Sequence, residues 1–483
     1  MASARTSIAF SAVANFSQLA LSLVLLVVAT RWLDAAEIGA FVFANAVFLL
    51  LEPVRMFQLI AYVIQAKELD DALMRRVQFA GLVLTLGVVT VAVVTGLALR
   101  LLFADPVVGD LLIVMAAAYP VKALTQPALA VLNRRMRFGY VTVANVGGSA
   151  LKVVVTIGLL FGGMRAEALA IGIVAEVLAE LAFLFAVERR LALPRPSAAG
   201  TRELWAYCSR FSGAQLVSVL PNSAIDLIIG SFLGLAAAGF FNRASRLIRL
   251  LRSGIEGTIF PVALAVFGRS ERQDRATTRA TYLAGLALLT GVTWSALALV
   301  IAVAEPLVLL AYGPRWDVIV PLVQILALSA IIFATTAMAP PLFATIGAVD
   351  SLFKRNLLIQ IPRLLIVLAA VQLDLTAVAW GTVVAMILAN LVTEAMLRRE
   401  LDLAYRHLGA ALWRSGLMAL ACAVPPWLVL QMPTVERLPA YLQLALVLPL
   451  GGLCWLLALA VLRHPLGGEL QLLLRKLRRS AAS

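Results

Sequence analysis

Gly239-Phe-Phe-Asn-Arg-Ala-Ser-Arg-Leu-Ile-Arg-Leu-Leu-Arg252 places four arginines, Arg243, Arg246, Arg249 and Arg252, three residues apart in a segment that otherwise reads as a membrane helix. A guanidinium keeps its proton in any protein environment. Setting one at bilayer depth costs about 3 kcal/mol even on the gentlest insertion scales. On a helix advancing about 100° per residue, Asn242, Arg246, Arg249, Ser253 and Glu256 fall within about 80° of one another. They form one polar stripe roughly 20 Å long, flanked by Arg243 on one side and Arg252 on the other. A stripe of this kind faces a protein interior or a water-filled cavity, because lipid offers its cations no partner.

The rest of the chain is built for a membrane. Of its 483 residues, 62% are hydrophobic and 14% charged, and the mean hydropathy is +0.97. No soluble fold of this length could hide so much apolar surface, so the chain reads as an all-α polytopic membrane protein. Fourteen spans are expected, near residues 8–30, 37–62, 77–101, 111–132, 140–162, 166–187, 211–233, 237–265, 280–304, 318–344, 355–373, 376–397, 413–431 and 440–462. The first is read as a true span, since no small-residue cleavage site follows it.

With the N-terminus inside, 27 of the 40 Lys and Arg fall in cytoplasmic segments, five fall outside and eight lie within spans. Cationic loops stay on the cytoplasmic side, so both termini are expected in the cytoplasm. The positive charge is therefore topological and gives no reason to invoke nucleic acid. Cys208, Cys422 and Cys454 are scattered, and His407 and His464 lie in basic segments. Neither set has metal-ligand or nucleophile spacing, and no metal or cofactor is expected.

The longest polar piece, Glu188 to Arg210, contains Pro194, Pro196 and Gly200 and reads as a linker. A short repeat supports two halves. Leu33, Ala36, Gly39 and Phe41 recur as Leu233, Ala236, Gly239 and Phe241, at one constant offset and at corresponding span junctions. The expected organisation is an N-lobe over 1–190 (spans one to six), a linker over 191–210 and a C-lobe over 211–400 (spans seven to twelve). Residues 401–483 add two spans and a basic tail, Arg475-Lys-Leu-Arg-Arg479, suited to an anionic leaflet. Transporters often build a central site between such repeats.

Other charges lie inside spans: Glu52, Arg55, Lys122, Lys152, Glu176, Glu180, Asp226, Arg363 and Glu394. Glu52 and Arg55, at i and i+3, read as a local pair. Glu176 and Glu180, one turn apart, read either as partners of a neighbouring cation or as a pair able to carry a coupling proton. Asp226 reads as the counter-ion of an eighth-span arginine, and Arg243 as a residue of the outer rim. Acids on the seventh and eighth spans, Asp226 and Glu256, are too few to neutralise Arg246, Arg249 and Arg252. The surplus points to an anionic ligand, since the guanidinium fork suits phosphate and carboxylate. Arg246, Arg249, Arg252, Asn242, Arg55, Lys152 and Arg363 are the candidate ligand contacts. Asp226, Glu176, Glu180 and Glu256 are the candidate coupling or counter-ion groups. Pro221, Pro261, Pro340-Pro341 and Pro362, with Gly147-Gly148, Gly254 and Gly257, are expected to bend or soften their helices.

Asn222-Ser-Ala-Ile-Asp226-Leu-Ile-Ile-Gly230-Ser-Phe-Leu-Gly234, then Gly239-Phe-Phe-Asn-Arg-Ala-Ser-Arg246-Leu-Ile, resembles the polysaccharide (O-antigen and exopolysaccharide) repeat-unit flippases. Those belong to the MOP exporter superfamily, whose MATE-like fold is shared with multidrug extruders. Leu132-Asn-Arg-Arg-Met-Arg-Phe138 is similar to a cytoplasmic loop of the same family, whereas Arg55-Met-Phe-Gln departs from its usual Asp-Phe-Gly-type turn. The resemblance implies a two-lobed, non-enzymatic transporter in a bacterial inner membrane. It would move an undecaprenyl-pyrophosphate-linked oligosaccharide to the outer leaflet by alternating access, alongside other polysaccharide assembly proteins. Two further readings are a cation-coupled drug extruder, which calls for an acidic cavity, and a peptidoglycan-precursor flippase. A third is a membrane glycan polymerase or ligase. The expected outer loops, all short and without histidine, argue against such an enzyme.

Overall fold

Away from water, an apolar run must close every backbone hydrogen bond within itself, which selects helices. In the computed structural model all regular structure among the described residues is helical. The structure describes residues 2–56, 70–102, 106–187, 223–271 and 274–468, with a few isolated positions between them. Helices α1 (Ala2–Trp32), α2 (Ala35–Met56), α3 (Asp71–Leu102), α4 (Val107–Ala116), α5 (Ala118–Arg134), α6 (Phe138–Phe161) and α7 (Glu167–Val187) come first. Then follow α8 (Ser223–Phe232), α9 (Leu235–Glu271), α10 (Arg275–Ala302) and α11 (Ala304–Tyr312). A 3-10 turn, Pro314–Ile319, leads to α12 (Val320–Ala334), α13 (Ala339–Thr345), α14 (Val349–Ala370), α15 (Leu375–Leu401), α16 (Tyr405–Leu430) and α17 (Ala440–Val461).

Each of the fourteen expected segments contains helix. Among the described residues ten helical segments are long and apolar enough to cross a membrane. Helices α9 and α14 are long enough but carry Arg243, Arg246, Arg249 and Arg252 in one case, and Lys354, Arg355 and Arg363 in the other. Two expected spans are broken. The fourth divides at Ala117 into α4 and α5, and the tenth divides at 335–338 into α12 and α13. Pro340 and Pro341 do not kink that span. They occupy the first turn of α13, where a missing N–H costs nothing. Helix α9 runs unbroken through Gly254, Gly257 and Pro261, and α14 through Pro362. Gly148 is a packing glycine, since a Cβ there would sit 2.9 Å from the Glu176 carbonyl oxygen.

Aspartate starts several of the helices. Asp70 Oδ1 accepts from Leu73 N at 2.7 Å, and Asp274 Oδ1 accepts from Thr277 N at 2.6 Å. These satisfy amides that have no partner within the helix. Asp34 and Glu37 cap α2 reciprocally, each accepting the other's backbone N–H at 2.9 Å. Arg165 ties this corner to the α6–α7 turn, donating from Nη2 to Glu37 Oε2 at 2.9 Å.

The chain forms two compact units, Met1–Asn242 and Arg243–Ser483. The core of the first gathers Phe43, Phe48, Leu111, Leu112, Met115, Tyr119 and Ile173 from α2, α4, α5 and α7. Inside it the repeat seen in the sequence is a physical contact. A Cβ on Gly39 would overlap the Leu235 carbonyl oxygen, and a Cβ on Gly239 would overlap the Ala35 carbonyl oxygen. Only glycine allows backbones this close.

In the second unit Phe267, Tyr282, Leu286, Met338, Phe343 and Leu397 form the main core. Helices α16 and α17 pack onto α10 through a polar contact. His464, placed in a basic segment by sequence, is only 3% exposed. Its Nδ1 accepts from Leu466 N at 3.2 Å, so Nε2–H donates to Ser415 Oγ at 3.1 Å, and Thr290 Oγ1 donates to Ser415 Oγ at 3.0 Å. Burial, then the nearby Arg414, lowers the imidazole from its ordinary 6.5. The folded state therefore disfavours the proton, and the stability carried by this contact is present above about 6.5 and lost as pH falls below it. The melting temperature of the purified protein is expected to drop between pH 7 and about 5, and His464→Gln to flatten that drop.

Candidate functional site

Helix α9 separates its two kinds of residue by face. Phe241, Ala244 and Ile248 are buried. Arg246, Arg249 and Ser253 are exposed, and Asn242 and Glu256 are half-buried at the edges of the same face. The stripe derived from helical geometry therefore lies on the accessible surface of this helix.

The four arginines are not equivalent. Arg252 is neutralised locally, with Nε 3.0 Å from Glu256 Oε1, and its guanidinium stacks 4.0 Å from the centre of the Phe333 ring. Arg243, expected at the rim, is the buried one, only 8% exposed and with its Nε unpartnered. The Tyr312 hydroxyl donates to the Arg243 carbonyl oxygen at 3.4 Å. Arg246 forms no ion pair with any described residue, and Tyr312 and Arg243 lie within its electrostatic reach. Asp226 accepts from Asn242 Nδ2 at 3.4 Å. Arg363 lies on α14, directly after Pro362. Arg55 lies in the last turn of α2, and its side chain is outside the described residues.

The charges of α2, α5, α6 and α7 form a network between helices. Glu52, read with Arg55 as a local pair, also reaches another helix. It accepts from Lys122 Nζ at 3.1 Å, seventy residues away. Lys122 also sits 5.5 Å from the centre of the Phe48 ring, and Tyr119 stacks on Phe48 at 4.4 Å. Lys152, one of the candidate ligand contacts, donates to Glu176 Oε2 at 2.9 Å, while Ser149 donates to Glu176 Oε1 at 2.8 Å. Each lysine thus holds one carboxylate. Glu180 is the third acid and lies within electrostatic reach of Lys122, Lys152, Glu176 and Glu52.

Sequence reasoning placed Arg243 at the outer rim and did not anticipate its burial or the nearby Tyr312. The spacing could have signalled the burial, because at about 100° per residue Arg243 and Arg252 lie on opposite sides of the helix and cannot both join the face of Arg246 and Arg249. Nothing in the sequence marked Tyr312.

Among the described residues no group of His, Cys, Asp and Glu could hold a metal ion. The site is an array of fixed cations on one helix and, separately, a lysine–carboxylate network with one extra acid. The first suits an anion, and the second suits a mobile proton.

Known proteins bear on this arrangement. The chain is similar to the succinoglycan biosynthesis transport protein ExoT of Rhizobium meliloti (strain 1021), 27% identical over 267 residues, covering 53% of this chain and 51% of that protein. It is also similar to the teichuronic acid biosynthesis protein TuaB of Bacillus subtilis (strain 168), 24% identical over 254 residues and 52% of each chain. The chain spans about half the length of the curated relatives it matches. In fold it matches the lipid II flippase MurJ in its inward closed conformation, with a TM-score of 0.77, 12% identity, and coverage of 95% of this chain and 99% of that one. It also matches a MOP superfamily transporter from Pyrococcus furiosus, described as having a binding pocket of reverse polarity, at a TM-score of 0.54, 14% identity, and coverage of 82% and 95%. These structures show a multi-pass membrane protein with the MurJ and MATE fold. The model of the polysaccharide biosynthesis protein family matches residues 28–321, more than half of the chain, and this protein belongs to that family.

Proposed function

We propose that this protein is a flippase that carries an undecaprenyl-pyrophosphate-linked oligosaccharide repeat unit from the cytoplasmic to the periplasmic leaflet of a bacterial inner membrane, by alternating access between an N-lobe (1–190) and a C-lobe (211–400). Both termini lie in the cytoplasm in this reading. The observation that carries it is the exposed face of α9, where Arg246 and Arg249 stand on a helix otherwise built for the membrane and Arg246 meets no described carboxylate. A pyrophosphate offers such cations the charge-assisted bonds that lipid cannot.

In this reading Arg246 and Arg249 hold the pyrophosphate, with Asn242 and Arg252 beside them and Arg55, Lys152 and Arg363 as further contacts along the path. Glu256 and Asp226 act as counter-ions within the arginine array. Glu176 anchors Lys152, and Glu180 carries the coupling proton. The family's place in polysaccharide biosynthesis and the named transport relative support the direction and class of cargo. The test is a strain lacking this gene. Surface polysaccharide is expected to disappear and lipid-linked repeat units to accumulate on the inner leaflet, both restored by the intact gene. Unchanged polysaccharide in the deletion strain would refute the reading.

A further inference from the structure

Arg355 is a second buried arginine of the Arg243–Ser483 unit, and the flippase reading gives it no role. It follows the exposed Lys354 near the start of α14, yet it is only 8% exposed, as deeply enclosed as Arg243. Its Nε donates to Thr393 Oγ1 on α15 at 2.9 Å, and its Nη1 donates to Asn356 Oδ1 at 3.3 Å. Both acceptors are neutral, and Arg355 forms no ion pair with any described carboxylate. Glu394, the half-buried acid directly after Thr393, lies within electrostatic reach of Arg398 and Tyr282 instead.

The group that does reach Arg355 is a phenol. Tyr282, on α10, is fully buried in the core of Phe267, Leu286, Leu397 and Leu401, with its ring stacked on Phe267 at 6.3 Å. Its hydroxyl is buried and has no hydrogen-bond partner among the described residues. It lies within electrostatic reach of the Arg355 guanidinium. A guanidinium carries five N–H donors, and the two named bonds leave donors to spare. Three helices thus bring a buried cation and a buried O–H together in an apolar core, with no acceptor between them. A buried charge without a counter-charge strongly destabilises a fold. Water would serve the hydroxyl and leave the charge standing, whereas an anion serves both. One guanidinium calls for one negative charge, and a halide accepts from N–H and O–H alike.

We propose that Arg355 and Tyr282 bind a small monovalent anion of the halide class where α10, α14 and α15 meet. The anion is the missing counter-charge of this core. The site differs in kind from the arginine face of α9. Arg246 and Arg249 are exposed and suit a large cargo, whereas Arg355 and Tyr282 are enclosed and suit an ion. The inference does not depend on the flippase reading.

The test is thermal unfolding of the purified full chain at constant sodium and ionic strength, with gluconate exchanged for chloride or bromide. The melting temperature is expected to rise with halide concentration and to saturate, as binding to the folded state alone requires. Tyr282→Phe keeps the ring and removes the hydroxyl, and it is expected to raise the half-saturating chloride concentration roughly tenfold. Arg355→Met keeps the length and removes the charge, and it is expected to abolish the halide response. Arg246→Ala is expected to retain that response. Should Arg355→Met fail to fold, anomalous diffraction from the intact protein in bromide decides the matter, with bromide expected in contact with Arg355. Equal melting temperatures in gluconate and halide would overturn the proposal. So would a halide response unchanged in Arg355→Met, which would be a general salt effect, or bromide absent from Arg355.

Discussion

Arg246→Ala and Arg249→Ala are each expected to abolish polysaccharide export while leaving protein level and membrane insertion normal. Both side chains lie on the accessible face of α9. Arg246 forms no ion pair with any described residue, and neither truncation touches the buried residues Phe241, Ala244 and Ile248. Deleting a cation from a helix at membrane depth even relieves an insertion cost of about 3 kcal/mol. Binding has much to lose, because a charge-assisted hydrogen bond to phosphate is worth about 1.5–3 kcal/mol, and bidentate geometry adds specificity to that energy. Lysine at either position restores the charge but not the fork, so partial export is expected from Arg246→Lys. Arg252→Ala is expected to behave differently. That guanidinium already holds Glu256 and stacks on Phe333, so its loss should show first in stability. Quantifying surface glycan against immunoblotted protein separates the two outcomes, and full export from both Arg246→Ala and Arg249→Ala would remove the basis of the proposed site.

Glu180→Gln is expected to uncouple transport from the proton gradient. Lys122 and Lys152 are each committed to another carboxylate, Glu52 and Glu176. Among the described residues of this network, that leaves Glu180 as the acid held in no salt bridge. One elementary charge moving through 100 mV carries about 2.3 kcal/mol, roughly fiftyfold in accumulation. In proteoliposomes with an imposed gradient, the intact protein should accumulate flipped lipid by up to that factor over the ungraded control, and Glu180→Gln should show no such difference. Gradient-driven accumulation that persists in Glu180→Gln would show that the coupling ion is held elsewhere.

Much of the architecture was legible because the membrane enforces it. Apolar length selects spans. Leu33, Ala36, Gly39 and Phe41 marked the repeat, and the structure turns that faint match into a backbone crossing. The α9 stripe was legible because helical periodicity alone sorts Arg246 and Arg249 from Ile248.

The charge pairings were not legible, because ion pairing is decided by which helices meet. Glu52 accepts from Lys122 across a seventy-residue separation, a contact that no local spacing signals. The burial of Arg243 and His464 was hidden for the same reason, since a basic residue at a helix end reads as solvated until its neighbours are known. The breaks at Ala117 and at 335–338 fall just before Pro120 and Pro340-Pro341, so proline marked the places without saying whether a helix would bend there or stop and restart.

The most direct test of the central claim is reconstitution. Purified protein in liposomes containing a fluorescent undecaprenyl-pyrophosphate-linked oligosaccharide would be assayed for movement of the headgroup between leaflets. The account predicts translocation by the intact protein, its inhibition by inorganic pyrophosphate, and its absence in Arg246→Ala. Equal translocation by the intact and Arg246→Ala proteins, unaffected by pyrophosphate, would contradict it.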